Sequence, residues 1–92
     1  MDVMQERLRG HLEDLLPEAT VYLNSRNGDG KHFEAIIISA TFEGQPLVQQ
    51  HRTIMSSLKE AFEDYVHALA LRTYTPARWE EVKDQYPAEL LE

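Results

Sequence analysis

Cysteine is absent from all 92 residues of this sequence. Without a thiol, the chain can form no disulfide framework and cannot build a thiolate metal site by itself. The sequence also has no apolar run of the length that a membrane-spanning helix needs, and Met1–Glu6 lacks the basic and apolar regions of a signal peptide. We therefore expect a soluble cytoplasmic protein that is not bound to a membrane.

Positive charge and catalytic motifs are also scarce. Nine Lys and Arg residues stand against sixteen Asp and Glu, which gives a net charge of −7. Nucleic-acid affinity depends largely on neutralising phosphates, so this balance disfavours DNA binding outside a local basic patch. No Gly-x-Ser-x-Gly turn and no His-Glu-x-x-His zinc helix occurs. An enzyme is the class of protein that we least expect.

The length suffices for one domain with a modest core, which we place at residues 1–87, with a short tail at residues 88–92. The pattern predicts the following elements: a helix from Asp2 to Leu16, a strand from Ala19 to Ser25, a turn at Asn27–Gly30, a strand from Phe33 to Thr41, a helix from Leu47 to Phe62, a strand from Val66 and a helix from Pro76 to about Pro87. The order α-β-β-α-β-α predicts a small α+β domain with helices on a three-stranded mixed sheet.

Apolar spacing assigns the buried faces of these elements. Ile36–Ile38 is apolar at every position, which is typical of a central strand. Asp2 and Gln5 resemble a capping box at the start of the first helix, and His11 is interpreted as a surface residue. The predicted inward side chains of the two long helices are Met4, Leu8, Leu12, Leu15 and Leu16, followed by Val48, Ile54, Leu58, Ala61 and Phe62.

The stretch from Val66 to Trp79 combines a strand with a helix start. Alternation predicts that Val66, Ala68 and Ala70 point one way while His67, Leu69 and Leu71 point the other. Thr75 is a suitable helix cap, Pro76 suits the first helical position, and Trp79 then turns inward. His67 does not fit an apolar strand: it is either a hydrogen-bonded core histidine or a ligand, and general burial statistics favour the core histidine.

Four segments of the sequence together resemble the BolA-like protein family. They are the stretch from His67 to Trp79 with Thr75-Pro76-Ala77-Arg78-Trp79, then Gly28-Asp29-Gly30-Lys31-His32-Phe33, Ser39-Ala40-Thr41-Phe42-Glu43-Gly44 and Gln50-His51-Arg52. The similarity runs from about Val21 to Val82 in the family's order. It implies the class II KH-like fold. However, no Gly-x-x-Gly loop occurs, so this fold gives no reason to infer RNA binding.

The resemblance implies that His67 is an iron–sulfur ligand. In the family, a monothiol glutaredoxin contributes a cysteine and the thiolate of glutathione to a bridging [2Fe–2S] cluster. Some members carry a cysteine in the glycine loop and others a histidine in a longer loop, whereas Asp29 stands between the two glycines here. The candidate second ligand is His32, with Asp29 as the alternative, because iron with sulfide prefers imidazole to a hard carboxylate.

The resemblance therefore implies a non-enzymatic adaptor that binds a monothiol glutaredoxin, in iron–sulfur cluster handling or iron and redox regulation. The alternative is a DNA-binding transcriptional regulator, for which the candidate contacts are His51, Arg52, Lys59 and Arg72. A third interpretation is a plain interaction module whose histidines are structural. A homodimer is compatible with each of them.

Overall fold

The structure, a computed structural model, describes residues 3–25, 32–64, 66, 68–87 and 91. Asp2, the predicted turn at Asn27–Gly30 and most of the tail therefore lie outside the described residues. The helices are α1 (Val3–Leu15), α2 (Leu47–Ser57), α3 (Lys59–Asp64) and α4 (Pro76–Val82), and the strands are β1 (Thr20–Ser25), β2 (His32–Ile38) and β3 (Ala68–Tyr74). Two 3-10 helices occupy Ala40–Phe42 and Lys83–Gln85.

The three strands form one sheet in the order β1-β2-β3. β1 runs antiparallel to β2, with Thr20 opposite Ile38, and β3 runs parallel to β2, with Ile38 opposite Tyr74. The predicted α+β fold with a mixed sheet is therefore confirmed. β2 is the central strand, which explains why Ile36, Ile37 and Ile38 are all buried.

One face of the sheet is covered by α1, α2 and α3. Phe33, Ala35 and Ile37 of β2 point to this face, where they pack with side chains of all three helices. Of the predicted inward side chains of the first helix, Leu8, Leu12 and Leu16 are confirmed as buried core residues. Arg9 and Gln5 of α1 donate to backbone carbonyls of β1, at 2.9 Å and 2.8 Å. The first helix is thus held to the sheet by both apolar packing and hydrogen bonds.

The prediction of one helix from Leu47 to Phe62 was wrong, because the helix breaks at Leu58. The amide of Leu58 donates to the carbonyl of Met55 at 3.2 Å, a tighter turn than an α-helix makes. The Ser57 hydroxyl donates to the Ile54 carbonyl at 2.7 Å, which offers the helix backbone a competing bond. A ring nitrogen of His11 lies 2.7 Å from the Ser57 carbonyl oxygen, so α1 contacts α2 at the break.

The prediction that Val48 faces the core was also wrong. The core-facing positions of this region are Gln50, Ile54 and Leu58, four residues apart, and Val48 lies about half a turn away from Gln50. Val48 is accordingly 69% exposed. The buried Gln50 donates to the Gln45 carbonyl at 2.9 Å and accepts from the Thr73 hydroxyl at 2.7 Å. These bonds offset the cost of burying an amide.

β2 ends at Ile38, three residues before the predicted end at Thr41. The Ser39 hydroxyl accepts from the amide of Thr41 at 3.0 Å and caps the short 3-10 helix that places Phe42 in the core. The same hydroxyl donates to the Glu18 carboxylate at 2.6 Å. A local cap therefore replaces the last predicted strand residues.

The second face of the sheet is partly covered by α4. As predicted, Thr75 caps this helix, accepting from the amide of Arg78 at 3.2 Å, and Pro76 is its first residue. The Trp79 ring packs with ring centroids at 5.8 Å from Tyr22, 5.6 Å from Tyr74 and 5.5 Å from Tyr86. Tyr22, on the face of β1 opposite the buried Val21 and Leu23, is thus covered by α4.

The hydroxyl groups of Tyr74 and Tyr86 are hydrogen-bonded. Burial, followed by this bond to Tyr74, raises the pKa of Tyr86 to about 12. Because this pKa is higher in the folded than in the unfolded state, it stabilises the fold. The contribution is fully present below the ordinary tyrosine pKa of about 10 and is lost as the pH rises through the folded value.

We therefore expect the free energy of unfolding to fall between about pH 10 and about 12. Tyr86→Phe should reduce this fall, because the titrating hydroxyl is gone. Urea unfolding at stepped alkaline pH, followed by tryptophan fluorescence, measures both proteins. Equal pH dependence of the two would contradict the assignment to Tyr86.

The contact between His11 and the Ser57 carbonyl gives a second prediction. His11→Ala removes this hydrogen bond between α1 and α2 and should lower the free energy of unfolding by about 1 kcal/mol. His51→Ala, a change at a half-buried residue of α2 away from that junction, should stay within about 0.5 kcal/mol of the wild type. Urea denaturation compares the two variants, and equal stabilities would show that the His11 contact contributes nothing.

Candidate functional site

The candidate site lies at the edge of the sheet where β2 and β3 begin. The first residue of β2, His32, is the register partner of Ala68, the first residue of β3. Because the two strands are parallel, their starts lie side by side at one edge. The two other predicted ligands, His67 and Asp29, lie outside the described residues. His67 directly precedes Ala68 in the sequence, and Asp29 stands three positions before His32.

His32 points to the second face of the sheet. Phe33 and Ala35 face the core, so the alternation of β2 places His32 and Glu34 on the opposite side. The residue beside His32 on this face is Ala68, which is exposed and has only a methyl side chain. His32 is half-buried there and takes no place in the core cluster. Its imidazole is therefore not a core-packing side chain.

The alternation predicted from Val66 onward was wrong at its first residue. Val66 is 3% exposed and belongs to the core cluster, on the same side as Leu69 and Leu71. Its amide donates to the Ala61 carbonyl at 2.9 Å, so Val66 belongs to the end of α3 and not to the strand. Strand alternation begins only at Ala68, where β3 starts.

Within residues 3–25, 32–64, 66, 68–87 and 91, no group of three or more His, Asp or Glu side chains is placed to hold a metal ion. His32 is the one predicted cluster ligand among these residues. The described residues alone therefore form no metal site of three or more such side chains.

The four candidate nucleic-acid contacts lie on two sides of the sheet. His51 and Arg52 belong to α2, and Lys59 is the first residue of α3, so all three are on the helix side. Arg72 is exposed on β3 and, by alternation with Thr73, points to the second face. The four residues therefore do not form one surface.

A bilayer-spanning segment is not found among the helices of the described residues, since none combines the required length with the required apolarity.

The known proteins that this chain resembles belong to one family. The family model described as "BolA-like protein" matches residues 10–78. The chain is 34% identical over 84 residues to the DNA-binding transcriptional regulator BolA of Escherichia coli, a match that spans 88% of this chain and 80% of the relative. It is 32% identical over 85 residues to BolA-like protein 1 of Mus musculus, across 85% of this chain and 62% of that protein.

The fold agrees with this result. The solution structure of BolA1 from Mus musculus superposes with a TM-score of 0.78 at 30% identity, covering 95% of this chain and 78% of that one. The family match includes β1, β2, β3 and the start of α4, and so contains the whole sheet and the edge described above. The chain belongs to the BolA-like protein family.

Proposed function

We propose that this chain is a non-enzymatic adaptor that binds a monothiol glutaredoxin with its glutathione and shares a bridging [2Fe–2S] cluster with it. The observation that carries the proposal is the parallel register that puts His32 beside Ala68, the residue that follows His67. The chain contains no cysteine, so any thiolate ligand of such a cluster belongs to the partner.

In this proposal His67 and His32 supply the nitrogen ligands, with Asp29 as the alternative to His32. The residues present suit a shared site: imidazole is a good donor for iron, and His32 is a half-buried side chain outside the core cluster. A cluster with imidazole in place of two thiolates has a raised reduction potential. That difference in potential is the chemistry such a cluster supplies.

The chain segments on both sides of His67 are anchored. Val66 is held by its bond to the Ala61 carbonyl and by burial in the core, and Ala68 is held by the β3 ladder. These two anchors fix the chain on either side of the proposed ligand.

The test is the absorption and circular dichroism spectrum of the complex, assembled anaerobically with the host's monothiol glutaredoxin and glutathione. His67→Ala should abolish the spectral change that this chain causes, because a nitrogen ligand is lost. His32→Ala should weaken the change, and Asp29→Ala should matter less. The mixed cluster should also be lost more readily in acid, since protons compete with iron for imidazole.

The matched control is His51→Ala, which should leave the spectrum unchanged. His11→Ala is unsuitable as a control because it removes the contact with the Ser57 carbonyl. The isolated chain, reconstituted with iron and sulfide, should hold only adventitious metal, and a stoichiometric [2Fe–2S] spectrum from it alone contradicts the shared-ligand proposal. If His67→Ala folds normally and leaves the complex's spectrum unchanged, His67 is a structural histidine.

A second candidate function is DNA binding, which the name of the Escherichia coli relative favours. His51, Arg52 and Lys59 lie on the helix side, so we propose that DNA contacts α2 and α3 and not the second face of the sheet. A net charge of −7 and so few available cations limit the number of phosphate contacts. The proposed cytoplasmic location and a homodimer are compatible with both functions.

We expect DNA affinity to be weak and to fall steeply with salt, because phosphate contacts supply most of it. Arg52→Ala should reduce the affinity, whereas Arg72→Ala, on the other side of the sheet, should not. Fluorescence anisotropy with a labelled duplex over a salt series measures both effects. Sequence-specific binding that persists at physiological salt and disappears in Arg52→Ala would make DNA binding the leading function.

A further inference from the structure

The outer side of α2, opposite its buried residues, exposes two large apolar side chains, Val48 and Met55. Among the described residues, four large hydrophobic side chains are exposed, and three of them belong to α2: Leu47 at 60%, Val48 at 69% and Met55 at 38%. Single exposed apolar residues are common on proteins, but clustered ones mark contact surfaces. Leu47 lies seven residues before the buried Ile54 and lines a pocket with Gln50 and Thr73, so it belongs to the inner side of α2, whereas Val48 and Met55 face away from the sheet.

Two cations lie next to these exposed apolar side chains. Val48, Arg52 and Met55 are four and three residues apart, which puts them on one side of α2, opposite the buried residues. Lys59 follows at the start of α3 and lines a groove of about 570 Å³ together with Met55, Ser56, Phe62 and Glu63. The break at Leu58 separates Met55 from Phe62. We call Val48, Arg52, Met55 and Lys59 the outer stripe.

The two cations of the outer stripe, Arg52 and Lys59, lack the ion pairs that three other cations form. Arg7 pairs with Asp64 at 3.1 Å, Arg78 with Glu81 at 2.6 Å and Lys83 with Glu80 at 2.9 Å. Over the described ranges Arg52 and Lys59 form no ion pair, which is also true of Arg72 on the second face and of Arg9, whose guanidinium bonds a carbonyl. In a chain with sixteen carboxylates, the two cations of the outer stripe remain available for carboxylates of another molecule.

We propose that the outer stripe binds an acidic amphipathic helix of a partner protein. Apolar side chains of that helix pack on Val48 and Met55, which are about 10 Å apart along the helix axis, while its carboxylates pair with Arg52 and Lys59. This occupant competes with the second candidate function, because DNA would use the same Arg52 and Lys59. A phosphate backbone, however, gives Val48 and Met55 nothing to bury.

This surface is separate from the edge that carries the proposed cluster. Gln50, on the inner side of α2, bonds Thr73, which lies five residues along β3 from Ala68. At about 3.3 Å per residue, the start of α2 lies roughly 16 Å along the sheet from the His32 edge. Met55 and Lys59 lie on the helix side of the sheet, whereas His32 points to the second face. The inference therefore goes beyond the proposed function and does not require a cluster.

The probe is a fluorescein-labelled 14-residue synthetic helix of Leu, Ala and Glu, about four turns long. Its leucines are spaced so that they lie on one face of the helix, and its glutamates lie on both sides of that face. It should bind the full chain and shift amide resonances of α2 and α3 in a two-dimensional NMR spectrum. The double variant R52Q/K59Q should weaken binding about tenfold, as expected for two lost charge pairs, and Val48→Ser should weaken it as well.

The matched control is R78Q/K83Q, which removes two positive charges from the α4 region and should leave binding unchanged. The same peptide with Lys in place of every Glu should not bind. The proposal is overturned if the acidic peptide fails to bind, if both double variants bind it equally, or if its shifts lie outside α2 and α3. A labelled DNA duplex that binds through Arg52 and Lys59 in place of the peptide, or a dimer of this chain that R52Q/K59Q dissociates in sedimentation, equally overturns it.

Discussion

The parallel pairing of β2 with β3 is the constraint on which the rest of the structure depends. Parallel neighbours cannot be joined by a tight turn, so the chain must cross the sheet between Ile38 and Ala68, and α2 with α3 forms this crossover. The same pairing places the starts of β2 and β3 at one edge, where His32 lies beside Ala68. The crossover and the candidate site are therefore two consequences of one register.

The crossover is fixed to the sheet by a polar contact as well as by apolar packing. Ile54 and Leu58 fill the core, but the Thr73 hydroxyl bonded to Gln50 determines where α2 lies along β3. Leaving either buried group without its partner costs about 1–3 kcal/mol, so this bond adds a directional restraint to the apolar contacts. The bond from Val66 to Ala61 then directs the chain from α3 into the strand.

Most of the fold could be predicted from the sequence because its signals are local. Alternation identifies the hairpin strands, and Thr75 with Pro76 identifies the start of α4. The errors arise where a local backbone bond interrupts the pattern. Apolar spacing continues through the break at Leu58, and the sequence places Val66 in the strand although its amide bonds the Ala61 carbonyl of α3. Gln50 was missed as a core residue, although its spacing of four from Ile54 was a usable signal.

The candidate site could be predicted only in part, since physical reasoning on His67 alone favoured a core histidine and the resemblance alone made it a ligand. The pairing register of β2 with β3 shows in addition that His32 lies beside Ala68, which cannot be read from spacing in the sequence. A chain with no thiolate offers an incomplete ligand set, so cluster binding and partner binding become one linked equilibrium in the proposed function. Whatever removes the cluster then weakens the complex by the same free energy, and this reciprocity makes an adaptor of this kind respond to iron without any catalytic step.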